Sequence, residues 1–238
     1  MYNTDILERG FKEFNIPFST DTIDQFLKYY ELLMQWNNKI NLTSITDFED
    51  VLIKHFIDSL SLVKIIPGLS HEKVLDLGSG AGFPGIPLKI VFPGINITLA
   101  DSVNKKLLFI NDVIEKLGLE NAETVHGRAE DLARDVKYRG RYDICVSRAV
   151  ANLSTLSEYC LPFVKTGGAF ISYKSSESTD EIKSAEKAIS LLGGKIENDI
   201  IFELPYTDIK RRLILIRKDK ATLGAYPRKA GTPLKNPL

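Results

Sequence analysis

A glycine-rich turn between an apolar strand pattern and a helix start constrains the fold of this chain most strongly. Residues 73–77 form the strand pattern, and Gly78, Gly80, Gly82 and Gly85 follow it. Glycine lets the backbone pass close to a ligand in conformations that a Cβ would forbid, and the next helix offers unpaired N–H groups at its N-terminus. The segment therefore predicts a pocket for a nucleotide-containing cofactor.

Two classes of cofactor use such a turn. The spacing Gly80-x-Gly82-x-x-Gly85, with Asp101 roughly 20 residues downstream, matches the fingerprint of dinucleotide-binding proteins. A dinucleotide places its pyrophosphate at the helix N-terminus, where the Asp76 carboxylate would repel it. The same carboxylate would attract the ammonium group of S-adenosylmethionine. Asp76 therefore favours this methyl donor over a nicotinamide cofactor.

Composition and cysteine content narrow the class of protein. The 238 residues are 44% hydrophobic, which predicts one domain with a small appendage and a substantial core. Cys145 and Cys160 both lie in apolar stretches, so we expect no disulfide framework, no metal site and a reducing cytoplasm. Because the N-terminus lacks a leader pattern and no apolar run approaches about 18 residues, we expect a cytoplasmic protein without membrane association.

The charge of the chain is zero overall but unevenly distributed. Residues 205–238 carry nine lysines and arginines against two aspartates, whereas residues 1–204 are net acidic. Lysine and arginine contacts supply most sequence-independent affinity for nucleic acid. The basic C-terminal end therefore indicates either a phosphate-binding surface or a solvated strand and tail.

Helical and strand patterns divide the chain near residue 70. Helix-spaced apolar residues predict a helical cap over residues 1–70, and alternating strand and helix patterns predict an α/β domain over residues 71–220. Residues 221–238 form a basic C-terminal tail of the same domain. The last two predicted strands are joined through residues 205–208, which leaves no room for a crossover helix and predicts a hairpin with one antiparallel strand. The predicted strands are residues 73–77, 95–100, 122–126, 142–147, 168–173, 195–204 and 212–217.

Seven mostly parallel strands with one reversed strand are the architecture of the class I S-adenosylmethionine-dependent methyltransferases, a Rossmann-like fold. Ligands of such sheets lie beyond the carboxyl ends of the strands. There Asp101 could accept hydrogen bonds from both ribose hydroxyls, and residues 127–131 could contact the adenine edge. Arg148 and Lys174 follow the fourth and fifth strands, and two cations beside the pocket favour a phosphate-bearing substrate.

His55 and Asp58 lie three positions apart on a predicted helix and could face the same pocket. A lone histidine is more often a hydrogen-bonded core residue than a catalytic group. The sequence leaves both interpretations open.

Two unusual segments are the Phe-Pro-Gly-Ile-Pro run at residues 83–87 and the Tyr-Pro-Arg-Lys-Ala-Gly run at residues 226–231. Together with other segments, which span nearly the whole chain, they resemble the bacterial small-subunit ribosomal RNA guanine-N7 methyltransferases, the RsmG or glucose-inhibited division protein B family. The other segments are Asn41-Leu42-Thr43, residues 54–59, Asp101-Ser102, Arg128-Ala129-Glu130, Ser147-Arg148-Ala149 and Tyr173-Lys174.

The resemblance implies transfer of a methyl group from S-adenosyl-L-methionine to N7 of one guanine in a 16S ribosomal RNA loop near the decoding site. The RNA could be free or within an assembled subunit, and no obligate protein partner is implied. In this family the cofactor contacts the positions that match Gly78, Phe83, Ala129, Glu130 and Arg148. Asp76, Gly80 and Asp101 are further candidates for contact with the cofactor, because they lie in the glycine turn or at the strand ends beside it.

Guanine N7 carries an in-plane lone pair and no proton, so its attack on a sulfonium methyl group needs no general base. Catalysis is then mainly positioning, for which Arg148 and Lys174 are the candidates. The side chains predicted to contact RNA are Lys174, Arg211, Arg212, Tyr226, Arg228 and Lys229. Two alternatives stay open from the residues alone: a nicotinamide-dependent dehydrogenase and a non-enzymatic RNA-binding module.

Overall fold

The computed structural model describes residues 2–148 and 151–238. Within these ranges the regular elements up to Lys64 are helical, and from Lys73 onward strands alternate with helices, except that β6 is followed directly by β7. A π-helical stretch (Leu52–Ile57) joins α3 to α4. The helices are α1 (Asp5–Glu13), α2 (Thr20–Asn37), α3 (Phe48–Val51), α4 (Asp58–Leu60), α5 (Gly85–Val91), α6 (Asn104–Leu117), α7 (Ala129–Leu132), α8 (Leu153–Cys160), α9 (Thr179–Leu191) and α10 (Thr232–Lys235). The strands are β1 (Lys73–Leu77), β2 (Asn96–Asp101), β3 (Ala122–His126), β4 (Tyr142–Ser147), β5 (Val164–Ser175), β6 (Gly194–Glu203) and β7 (Lys210–Lys218).

The seven strands form one sheet in the order β3-β2-β1-β4-β5-β7-β6. Strand β7 runs antiparallel to both β5 and β6, and the pairs among the other five strands are parallel. The predicted fold, with its C-terminal hairpin and single reversed strand, is therefore confirmed. The strand order reverses between β1 and β4, so the crevice expected to hold a ligand lies at the carboxyl ends of these two strands.

Strand β5 is longer than the sequence predicts. It begins at Val164, which pairs with Tyr142 of β4, and the register then shifts before Ala169 pairs with Ile144. Gly167, at φ 85°, lies in this irregular part of the strand. The two glycines at residues 167–168 mark a bulge inside the strand, whereas the sequence pattern predicts that the strand begins at residue 168.

The N-terminal helices pack on one face of the sheet and support the glycine turn. Helix α2 begins at a capping box, in which the Ser19 side chain accepts from the Thr22 N–H and Thr22 bonds back to the Ser19 backbone. Its buried Tyr29 donates a hydrogen bond to the Ala81 carbonyl oxygen in the glycine turn, at 2.5 Å. One continuous apolar core joins these helices to β1 and β2.

No helix in the described part of the chain is both long enough and apolar enough to cross a membrane.

Candidate functional site

The glycine turn adopts backbone conformations that side chains disfavour. Gly78, Gly80 and Gly82 have φ values of 75°, 59° and 88°, all in the left-handed region. A Cβ on Gly82 would also lie 2.7 Å from Cγ1 of Ile86 and 2.8 Å from Oη of Tyr29. The turn is therefore closed from behind by packed side chains, while Gly78 stays exposed on its open side.

A cavity of about 430 Å³ lies beside this turn, at the carboxyl ends of four strands. Its volume falls within the range of small-molecule sites. The sequence-predicted residues that line it are Gly78, Asp101, Ala129 and Glu130. Gly80, Phe83, Asp76 and Arg148 are not among its lining residues. We call this space the cofactor cavity.

Asp101 is fixed at the end of β2 by two backbone groups. Its Oδ2 accepts from the Gly80 N–H at 2.9 Å, and its Oδ1 accepts from the Val103 N–H at 2.8 Å. A carboxylate oxygen can accept more than one hydrogen bond, so both oxygens keep acceptor capacity toward the cavity. An orientated acid beside exposed glycine backbone fits the adenosyl part of S-adenosylmethionine.

Asp76 lies beneath the turn and does not line the cavity. Its side chain is fully buried, Oδ2 accepts from the Gly85 N–H at 2.8 Å, and Oδ1 has no hydrogen-bond partner among the described residues. Burial raises the pKa of Asp76 to about 7, although the Gly85 N–H and the Arg148 charge act in the opposite direction. The orphaned oxygen fits a cationic ligand group nearby, and the predicted attraction for the cofactor's ammonium stays a prediction.

The raised pKa of Asp76 predicts that the cofactor-free protein loses stability as pH rises from about 4 to about 7. The folded state holds this proton more tightly than the unfolded chain, whose carboxyl group has the ordinary pKa of 3.8. Urea unfolding of the unaltered protein and of Asp76→Asn at pH 5 and pH 8 checks this. The stability of the unaltered protein relative to the variant should fall by about 3 kcal/mol between these pH values. An equal pH dependence in the two proteins would contradict it.

A second, basic cavity of about 580 Å³ lies next to the cofactor cavity, and we call it the basic cavity. The buried carboxylate of Asp58 lies at its base, where Arg148 Nη1 and Arg211 Nε both contact it at 3.2 Å. Arg148 also donates to the Lys54 carbonyl oxygen at 3.1 Å. The cavity is lined by Lys54, His55, Asp58, Ser61, Arg148, Tyr173, Lys174, Ser175, Glu181, Arg211, Arg212 and Leu213.

His55 is a neutral, fully hydrogen-bonded residue in this network. Its Nδ1 lies 3.2 Å from Nη2 of Arg148, which can only donate, so Nδ1 is the acceptor and Nε2 carries the proton. Nε2 then donates to Oγ1 of Thr43 at 2.8 Å. Burial, followed by the Arg148 charge, lowers the pKa of His55 to about 3. Its ring stacks on Phe83 with centroids 4.4 Å apart, so the network connects the glycine turn to the basic cavity.

The cations predicted to contact RNA at this end of the sheet already have carboxylate partners. Lys174 Nζ donates to Glu181 Oε1 at 2.6 Å, and Arg212, only 7% exposed, forms two hydrogen bonds with Asp199. Arg211 shares Asp58 with Arg148, as described above. The contact of these cations with RNA stays a prediction. Arg212 is the least accessible of the three.

The C-terminal residues predicted to contact RNA differ in exposure. Arg228 is paired with Glu158, whose side chain is fully buried, through its Nη2 at 2.7 Å and its backbone N–H at 2.7 Å. Tyr226 is half-buried and Lys229 is exposed. Lys229 therefore remains the most accessible of the predicted phosphate contacts in this segment.

Some residues at the two cavities were not predicted from the sequence. Gly231 and Leu234 line the cofactor cavity, but nothing in the sequence of the tail indicates that it returns to the cavity. The three-residue spacing of His55 and Asp58 was a usable sequence signal. In the structure both side chains form hydrogen bonds with Arg148. Ala149, part of one resembling segment, lies outside the described residues.

Comparison with known proteins relates the chain to ribosomal RNA methyltransferases. The family model described as GidB, rRNA small subunit methyltransferase G, matches residues 22–203. The chain is 50% identical over 230 residues to the Ribosomal RNA small subunit methyltransferase G of Lachnoclostridium phytofermentans, covering 97% of this chain and 95% of that protein. It is also 50% identical over 233 residues to the protein of the same name from Acetivibrio thermocellus, covering 98% and 96%.

Solved structures of low sequence identity share the fold. M. jannaschii TYW2 in complex with AdoMet superposes with a TM-score of 0.51 at 16% identity, covering 67% of this chain and 74% of that one. Precorrin-6y C5,15-methyltransferase from Geobacter metallireducens superposes with a TM-score of 0.50 at 14% identity, covering 75% and 92%. These likenesses concern the fold alone.

Proposed function

The chain belongs to the rRNA small subunit methyltransferase G family, and we propose that it methylates N7 of one guanine in a loop of 16S ribosomal RNA. It is a methyltransferase of small-subunit ribosomal RNA, and S-adenosyl-L-methionine is the methyl donor. Membership in this family excludes the alternative function of a nicotinamide-dependent dehydrogenase, which the spacing of the glycines had allowed. Because bacterial ribosomes lie in the cytoplasm, the proposed reaction takes place there.

The observation that best supports this proposal is the junction of the two cavities at the end of β4. Ser147 lines the cofactor cavity, and the next residue, Arg148, lines the basic cavity. A methyl donor in the first cavity and an anionic polynucleotide over the second would therefore meet at this strand end. The bound donor supplies an electrophilic methyl group, and the protein's task is to orient the base toward it.

The residues at this junction favour positioning over proton transfer. His55 uses both ring nitrogens in hydrogen bonds, and its low pKa keeps it neutral, as described above. Methylation of N7 moves positive charge onto the purine, which a free guanidinium nearby would oppose. Because Asp58 neutralises part of the Arg148 charge, Arg148 can bind the RNA backbone or the guanine O6 edge with less opposition to the reaction.

The chemical identity of the product tests this proposal. Purified protein, 16S RNA in small subunits and S-adenosylmethionine are incubated, and the RNA is digested to nucleosides for mass spectrometry. The proposal expects 7-methylguanosine as the new nucleoside. A methyl group on any other ring atom or base would contradict it.

The binding of RNA should weaken steeply with salt, because each phosphate contact releases condensed counterions. Lys229 is exposed, and no hydrogen bond or salt bridge of its side chain is found in the described ranges. We expect Lys229→Ala to reduce the slope of log affinity against log salt by about 1. The matched control is Lys187→Ala, which removes an exposed lysine from α9. Equal slopes for Lys229→Ala and the unaltered protein would remove Lys229 from the RNA-binding surface.

A further inference from the structure

The C-terminal segment, defined here as residues 222–238, forms part of the wall of the cofactor cavity. The sequence predicted a basic tail of the domain over residues 221–238, with its side chains directed to RNA. In the structure Gly231 and Leu234 line the cofactor cavity together with Gly78 and Glu130. The segment therefore crosses the site of the methyl donor.

Hydrogen bonds along its length hold this segment to the body of the protein. Arg139 donates to three of its carbonyl oxygens at 2.9 to 3.0 Å. The buried Glu158 carboxylate binds both the backbone N–H and the guanidinium of Arg228. Farther along, Thr155 Oγ1 donates to the carbonyl oxygen of the buried Pro233 at 2.9 Å. The segment is thus a fixed wall, since its anchors are spaced along most of its length.

The part of the segment at the cavity is oriented by a residue of the cofactor site itself. Gly231, at φ 81°, donates its N–H to Oε1 of Glu130 at 2.8 Å and precedes the short helix α10. Helix α10 carries Leu234, which lines the cavity although it is 63% exposed. Val103, 43% exposed, lines the same cavity. Two large apolar side chains are therefore left uncovered where the cofactor binds.

We propose that Leu234 is a cofactor-binding residue, which contacts the adenosyl group of S-adenosylmethionine together with Val103. The inference rests on the proposed function, because it takes this methyl donor as the ligand of the cavity. A purine has two apolar faces, and covering exposed leucine and valine side chains with them removes apolar surface from water. Glu130, through its bond to Gly231, is a positioning residue for Leu234.

Equilibrium binding of S-adenosylhomocysteine, measured by calorimetry, tests the inference without requiring turnover. We expect Leu234→Ala to raise the dissociation constant about 5- to 10-fold, since it removes apolar contact surface. The matched control is Leu223→Ala, because Leu223 is also 63% exposed in the C-terminal segment but is not among the residues that line the cavity. Leu223→Ala should bind within twofold of the unaltered protein. Because both leucines are exposed, neither substitution should change the melting temperature of the cofactor-free protein.

Adenosine as a second probe identifies the part of the ligand that Leu234 contacts. A similar fold-loss for adenosine and S-adenosylhomocysteine in Leu234→Ala is the expected result, whereas a loss for S-adenosylhomocysteine alone would overturn the adenosyl assignment. Unchanged binding in Leu234→Ala, or an equal loss in Leu223→Ala, would overturn the inference while leaving the proposed function intact. Failure of the unaltered protein to bind S-adenosylhomocysteine would overturn both.

Discussion

Replacing Arg148 with alanine is expected to lower kcat/KM for methyl transfer about 100-fold, because this side chain holds together the junction of the two cavities. Its guanidinium bonds to Asp58, His55 and the Lys54 carbonyl oxygen and lies 5.0 Å from the centroid of the Phe83 ring. Its removal frees the histidine and the glycine turn to shift relative to the bound RNA. Single-turnover methyl transfer to small subunits is the measurement.

The Arg148→Ala variant should also be less stable, by about 2 to 4 kcal/mol, since it removes the hydrogen bonds of the guanidinium to Asp58, His55 and the Lys54 carbonyl oxygen, while Asp58 keeps Arg211 as a partner. The variant Arg148→Lys separates this effect from catalysis, because it restores a cation beside Asp58 but lacks the planar guanidinium that bonds to all three groups at once. We expect urea unfolding to show partly recovered stability in Arg148→Lys while methyl transfer stays low. Activity that recovers together with stability in Arg148→Lys would mean that Arg148 acts only by stabilising the fold.

Replacing Asp101 with alanine is expected to weaken the binding of S-adenosylmethionine about 100-fold. Hydrogen bonds to a charged acceptor contribute about 1.5 to 3 kcal/mol each, and two ribose hydroxyls can bond to this carboxylate. Asp101→Asn should bind no better than the alanine variant. Both carboxylate oxygens already accept hydrogen bonds from backbone N–H groups, those of Gly80 and Val103. The side-chain NH2 of asparagine would therefore face one of these N–H groups, donor against donor.

Calorimetric titration with S-adenosylmethionine measures the effect. The control is Asp24→Ala, which removes an exposed aspartate from α2 and should bind the cofactor as the unaltered protein does. A loss of less than threefold in Asp101→Ala would show that the ribose hydroxyls do not bond to this carboxylate.

The fold could be predicted because its signals are local. The glycine turn follows its strand directly, and the four residues at 205–208 leave no room for a crossover helix, which specifies a hairpin. The position of Asp101 beside the ligand could also be predicted, because the carboxyl ends of the strands in such a sheet face the ligand. These inferences need only short stretches of sequence.

The pairing of the cations could not be predicted, because the folded arrangement of strands and helices decides which carboxylate lies beside each of them. Arg228 and its partner Glu158 are 70 residues apart, and Arg212 bonds to Asp199 across two adjacent strands. In the sequence, a run of basic residues indicates an unpaired phosphate-binding surface. Only the fold shows which carboxylates form ion pairs with these residues. Leu234 shows the same limit, since only the path of the C-terminal segment brings it to the cofactor cavity.

Mapping the methylated nucleotide tests the central claim most directly. Small subunits are purified from bacteria that lack the protein and are incubated with it and S-adenosylmethionine labelled on the methyl group. The account predicts one methyl group per subunit, on N7 of a single guanine in one 16S loop. Label on another base, at many sites, or none despite tight cofactor binding would contradict it.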